Sequence, residues 1–218
     1  KPEISHDGLK FRTLCADCNS LLGQRYDPAL NEFAIAVGRF LRTSLHLPEL
    51  LHLEIRPTAV ARAVLGHLLA ARLSTVEAFF DPDIRTIVFD PDMAIPDDLS
   101  VFYWVHPYAQ QIVFRDAMMP KKRGDFSDLQ RIGTLKYFPL GFLVTDASQY
   151  ESLDALTHWR KEPSSTTIKI PIRIKEARDA FWPEAPAPGT FLFVGQEFME
   201  SVRAHPKPEL FEGIRRST

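Results

Sequence analysis

Apolar and polar positions alternate with two different periods along this chain, and the change falls near its first third. From Asp27 onward, Leu30, Phe33, Ala34, Val37, Leu41 and Leu45 recur at the i, i+3, i+4, i+7 spacing of an amphipathic helix. Asp27-Pro28 suits its start, with aspartate as N-cap and proline in the first turn, and Pro48 ends it. Leu51 to Arg56 reads as a strand or an extended link. Pro57-Thr58 then opens a second helix with Val60, Ala61, Val64, Leu65 and Leu68 on its apolar face. After Leu73 the period shortens. Thr86–Phe89, Val101–Val105, Gln111–Arg115, Ile132–Tyr137 and Gly141–Thr145 read as short strands parted by turn residues. That spacing predicts an antiparallel meander.

Leu153 to Arg160 is expected as a short helix. Thr167 to Ile172 alternates, but Pro171 makes it an edge strand or a strand end. Pro183, Pro186 and Pro188 form a stiff loop before the apolar run Phe191–Val194, and the tail from His205 is polar. Helices followed by a run of strands predict an α+β fold with two helices and then a mainly antiparallel sheet. Residues 1–26 stand before this pattern as a separate small module, with residues 27–218 as the α+β domain.

Hydrophobic residues make up 45% and charged residues 25%, the balance of a chain with a real core. The formal net charge of −2 argues against a uniformly basic nucleic-acid binder while leaving room for a local basic site. No apolar run reaches the roughly 18 to 20 residues that a membrane span needs, so no membrane partner is expected. There is no signal peptide, and two cysteines do not make a disulfide scaffold, so the default setting is cytoplasmic. The chain starts at Lys1, which leaves room for an upstream segment. Nothing in the pattern indicates an oligomeric state.

The two cysteines, Cys15 and Cys18, are spaced C-x-x-C. A run with strand character, Leu9 to Leu14, leads into them, and Ser20-Leu21-Leu22-Gly23 follows. Two thiolates one turn apart supply two of the four ligands of a tetrahedral Zn²⁺. Other readings stay open: a redox dithiol, two core residues without chemistry, or part of a site completed by another chain. Only fourteen residues precede Cys15, too few for the elements that come first in a thioredoxin-type fold. His6 is a candidate third zinc ligand, with Asp7 beside it as a fourth ligand or as a partner of the histidine, and the competing reading is a solvated terminal loop.

The segment Leu14-Cys15-Ala16-Asp17-Cys18-Asn19-Ser20-Leu21-Leu22-Gly23 resembles the second half of the zinc-stabilised module of HNH-type endonucleases, in which a strand runs into C-x-x-C-N. The resemblance implies a ββα-like zinc knuckle with Cys15 and Cys18 as half of a structural zinc site. It places Asn19 at the last motif residue of the family, near a catalytic divalent metal such as Mg²⁺, and it implies action on DNA or RNA. Two features of the family are missing here. The first C-x-x-C is not in the chain. The histidine that serves as general base lies some twenty or more residues before the asparagine, whereas His6 is thirteen residues away. Either the active-site half lies upstream of Lys1, or the protein keeps the knuckle without the chemistry. The alternative function is a non-catalytic binding or interaction protein with a structural zinc.

Other clusters carry plainer readings. Asp81, Asp83, Asp90, Asp92, Asp97 and Asp98 surround prolines. They could gather Mg²⁺, but Asp-Pro pairs favour turns. Lys121-Lys122-Arg123 is the densest basic run, placed in a loop between strands, where it could touch phosphates or simply be solvated. Phe102, Tyr103, Trp104 and Tyr137 could stack bases, with core packing as the stronger expectation. His67 is expected as a packed histidine beside the apolar face of its helix.

Overall fold

The computed structural model describes residues 13–43, 46–71, 77, 81–109, 111–122, 125–150, 153–174, 191–194 and 201–204. Four helices stand in the first part of the chain: α1 (Ala16–Arg25), α2 (Asp27–Leu41), α3 (Pro57–Ala70) and α4 (Asp81–Phe89). Between α2 and α3 runs β1 (Leu50–Ile55). The later chain holds β2 (Ser100–Val105), β3 (Gln111–Lys122), β4 (Asp125–Tyr137), β5 (Leu140–Thr145) and β6 (Asp154–Ala155). A 3₁₀ turn, Leu156–Trp159, leads on to β7 (Ile168–Arg173), β8 (Phe191–Val194) and β9 (Ser201–Ala204). The fold is α+β with a mainly antiparallel sheet.

The main sheet has seven strands in the order β6-β2-β5-β4-β3-β8-β9. All its pairings are antiparallel except β3 with β8. The meander expected from the strand spacing covers β3, β4 and β5, while β2 pairs back onto β5. β1 and β7 form a separate two-stranded antiparallel ribbon, with His52 opposite Pro171. Among the described residues β7 pairs only with β1, so Pro171 stands on an edge strand, where a missing N–H is tolerated.

At β2 and β5 the sheet is buried on both faces. In β2, Val101, Tyr103 and Val105 join the core shared with the helices, and the alternate residues Phe102 and Trp104 join a second cluster with Ile112, Phe114, Ile132 and Leu143. That alternation is the strand period of two. It also settles the aromatic residues: Phe102, Tyr103 and Trp104 are all core, not an open stacking face.

α3 is the centre of the helical side. Twelve of its fourteen residues are buried, because Val, Leu, Ala and Gly occupy almost every side of it. Thr58 Oγ1 donates to Trp159 O at 2.9 Å, and Val101 N donates to Thr157 Oγ1 at 3.2 Å, so the 3₁₀ turn ties α3 to β2. α2 buries Leu30, Phe33 and Val37, as its spacing predicts, and ends at Leu41.

Several expectations are corrected. Thr86–Phe89 is not a strand. It is the end of α4, which buries Ile84, Ile87 and Val88 at helical spacing. Asp81-Pro82-Asp83 is not a turn but the first turn of that helix. Asp90-Pro91-Asp92 does turn, with Asp92 N donating to Asp90 Oδ1 at 3.0 Å. The expected helix over Leu153–Arg160 is the short strand β6 followed by the 3₁₀ turn. Asp27 is not an N-cap: Tyr26 holds that place without a side-chain bond, and Asp27 sits in the first turn of α2. Among the described residues no helix is long and apolar enough to cross a membrane.

Candidate functional site

The C-x-x-C pair begins a helix. Of the expected strand Leu9–Leu14, only Thr13 and Leu14 lie within the described residues, and neither belongs to a strand. Cys15 is the N-cap of α1, with extended backbone at φ −65° and ψ 159°. Its sulfur accepts the Cys18 N–H at 3.1 Å, and its carbonyl accepts the Asn19 N–H at 2.9 Å. Here a sulfur does what serine or aspartate oxygens do at most helix starts. Asp17 in the first turn and Arg25 in the last suit the helix dipole.

Two contacts fix where the pair stands. Thr13 Oγ1 donates to the Ala70 carbonyl at the end of α3. Leu22 of α1 lies against Gly66 of α3, where an added Cβ would come within 3.3 Å of it. Glycine at this position lets α1 approach α3 closely. Leu22 and Tyr26 thereby enter the main core, while Cys15 stays exposed and Cys18 half-buried.

The two thiols differ. A hydrogen bond from the Cys18 side chain, reinforced by the Cys18 N–H, holds the Cys15 thiol below its ordinary value. The same side-chain bond, with partial burial, pushes the Cys18 thiol up. Both cysteines are free. Cys15 is therefore the member of the pair that gives up its proton first, and the thiolate is the form that both metal binding and nucleophilic attack need. Iodoacetamide is expected to modify Cys15 first, with a pH midpoint below that of an ordinary thiol, because the lowered value gives more thiolate at each pH. Peptide mapping after brief alkylation across a pH series checks this. Equal rates at the two cysteines would contradict it.

For a zinc ion the donor chemistry fits in part. Cys15 and Cys18 offer two sulfurs from one turn, half of a tetrahedral set. Among the described residues, no group of three or more His, Cys, Asp or Glu side chains stands together as a metal site. His6 lies outside the described residues. The Asp-Pro carboxylates do not form a Mg²⁺ site among the described residues either. Asp81 is instead buried in an ion pair with Arg115.

Asn19 is exposed on α1, one residue after Cys18, and it lines a cleft shared with Asp27 and His67. Lys121 and Lys122 are not in a loop. They end β3, where Lys122 pairs with Asp125 across the hairpin, and Arg123 lies outside the described residues. Lys121 and Lys122 thus belong to the β3–β4 hairpin and not to α1. His67 is not packed in the core. Its side chain is 46% exposed, and its Nε2 lies 3.2 Å from Asp27 Oδ1. The pair joins residues far apart in sequence, so periodicity within α3 carries no sign of it. The one local signal is that α3 is apolar on nearly every side, which leaves a polar residue in it only an end to emerge from. No family model, no curated protein and no solved structure matches this chain.

Proposed function

We propose that the protein is an HNH-like zinc-binding protein, with Cys15 and Cys18 as half of a structural zinc site and with a metal-dependent nuclease activity on DNA or RNA. The observation that carries the zinc reading is the thiol pair at the start of α1, in which the Cys18 N–H is bonded to the Cys15 sulfur. That bond favours the thiolate, and a thiolate is what zinc takes as a ligand. The remaining ligands come from outside the described residues, with His6 the first candidate, or from another molecule. Zinc held there would supply folding energy to the start of the chain. Asn19, exposed beside the pair, is the residue that the resemblance connects with the second metal, and Lys121, Lys122 and Arg123 are the basic run that would meet phosphates.

The nuclease reading is tested by incubating the chain with plasmid DNA and with RNA in the presence of Mg²⁺. Cleavage that is lost in Asn19→Ala supports it. Intact substrates in every condition leave the zinc-holding binding protein, without catalysis, as the function.

One observation favours a second reading. Cys15 is exposed and favoured as thiolate, while Cys18 is less exposed and favoured as thiol. That division suits a dithiol in which Cys15 attacks a substrate disulfide and Cys18 resolves the mixed disulfide, leaving the substrate reduced and the pair oxidised. Reversible loss of two free thiols on mild oxidation of the metal-free chain supports the dithiol. A pair that stays reduced, or that keeps a metal through purification, supports zinc.

A further inference from the structure

The cleft where α1, α2 and α3 meet encloses about 80 Å³. Three side chains with donor atoms suited to a metal line it: Asn19 from α1, Asp27 from the first turn of α2 and His67 from α3. Between Asn19 and Asp27, four residues from each, stands Gly23. A Cβ built on Gly23 would lie 3.6 Å from Asp27 Oδ2, an ordinary contact, so packing does not demand a glycine there. Within a helix it costs about 0.5–1 kcal/mol relative to alanine. What the glycine does is leave the space beside the carboxylate oxygen open.

His67 Nε2 and Asp27 Oδ1 are 3.2 Å apart, with side chains 46% and 33% exposed, so ions from solvent reach both. Donors 3.2 Å apart that each stand about 2.1 Å from one ion subtend roughly 100° at it, between the octahedral and the tetrahedral angle. Neutral imidazole has one bare nitrogen, and the tautomer with its proton on Nδ1 offers Nε2 to a metal. Asn19 is exposed and brings a carboxamide oxygen to the same cleft. Imidazole with carboxylate and amide oxygens is a donor set for first-row divalent cations. A hard cation keeps several waters, so two or three protein ligands suffice, and the cleft has room for the waters.

Arg62 also lines the cleft and opposes a cation by its charge. It is 3% exposed, and its Nη atoms donate to the carbonyls of Ile87, Asp90, Pro91 and Met93, at the end of α4 and in the loop after it. Those carbonyl dipoles solvate the guanidinium, which leaves the Asp27 carboxylate to His67.

We propose that Asp27 and His67, with Asn19 beside them, form a binding site for a divalent cation of the Mn²⁺ class, with water completing its shell. The site uses neither cysteine, so it stands whether or not the thiol pair holds zinc. It deepens the nuclease reading, on which the chemistry of the bound cation rests: there the cation polarises the scissile phosphate, whose oxygen takes the place of a water.

The test is a titration of the purified chain with Mn²⁺, read by the EPR signal of the free ion and by paramagnetic broadening of the histidine ring signals. One saturable Mn²⁺ per chain is expected, broadening His67 first. Asp27→Asn and His67→Gln each keep a hydrogen bond between the two helices while removing the carboxylate or the imidazole. Each is expected to weaken binding at least about tenfold, since loss of a ligand's hydrogen-bonding partner alone does as much. The melting temperature of the metal-free variants should match the parent's. Absence of saturable binding, full binding in either variant, or broadening centred away from His67 overturns the site. So does weakened binding accompanied by a lowered melting temperature in both metal-free variants, which would make the pair a structural tie. Mn²⁺ bound at these residues with DNA and RNA left intact keeps the site and removes the nuclease reading.

Discussion

Replacing Asp81 with alanine is expected to cost about 3–5 kcal/mol of stability, the usual cost of removing one partner from a buried ion pair. Asp81 is fully buried at the start of α4, and Arg115 on β3 is 4% exposed. The arginine bonds the Asp81 carboxylate and donates from Nη1 to the Ala71 carbonyl at 3.2 Å, just past the end of α3. One guanidinium thus joins the beginning of α4, the end of α3 and the middle of the sheet. Alanine removes the anion and leaves the cation buried without its carboxylate. The carbonyls that hold Arg62 lie at the end of α4 and in the loop after it, so a displaced α4 would carry them away as well. Urea unfolding should show a lower midpoint with an unchanged slope. A shift worth less than about 1 kcal/mol would mean that the pair is solvated in the native state.

Gly141→Ala is expected to cost about 3 kcal/mol, at the upper end of what overpacking a core brings. Gly141 on β5 is directly opposite Trp104 on β2. The indole lies over the glycine: an added Cβ would stand 2.7 Å from Trp104 Nε1 and closer still to two ring carbons. Trp104 is 5% exposed and is hemmed in by Phe102 and Leu143 in the same cluster. The ring is buried, so either it leaves its rotamer or the two strands part. Thermal unfolding together with tryptophan emission reads the effect. An unchanged melting temperature with unshifted emission would show that the cluster is looser than its geometry implies.

The elements that were legible in the sequence are those whose pattern is dictated by their own burial. α2 follows from Leu30, Phe33 and Val37, which lie on one stripe against the core, and α3 from its unbroken apolar run around Val60, Val64 and Leu68, which is buried on almost every side. β2 and β5 follow from short runs of β-branched and aromatic residues, because they are central strands buried on both faces. α4 was hidden by composition. Thr86-Ile87-Val88-Phe89 has strand propensity, and tertiary packing of Ile84, Ile87 and Val88 overrides it. The helical period was present, but only when the window is opened back to the Asp81-Pro82-Asp83 start.

α1 was harder. Leu22 is its one buried residue, so no stripe announces a helix, and the cysteine spacing suggests a knuckle first. What the spacing does convey is that the two thiols sit one turn apart, and the fold places them so at the surface. The Asp27–His67 pair and Arg62 with its carbonyl cage depend on helices that meet, and no local pattern encodes a meeting. The strand order is similar in kind: the parallel pairing of β3 with β8 joins segments some eighty residues apart.

The measurement that bears most directly on the thiol pair is the metal content of the chain purified without chelator, beside a Cys15→Ser variant. A structural site predicts about one zinc per chain, lost in the variant, together with a lower melting temperature once the metal is gone. No zinc in the intact chain would contradict the zinc site and leave the pair as a dithiol at the start of a helix.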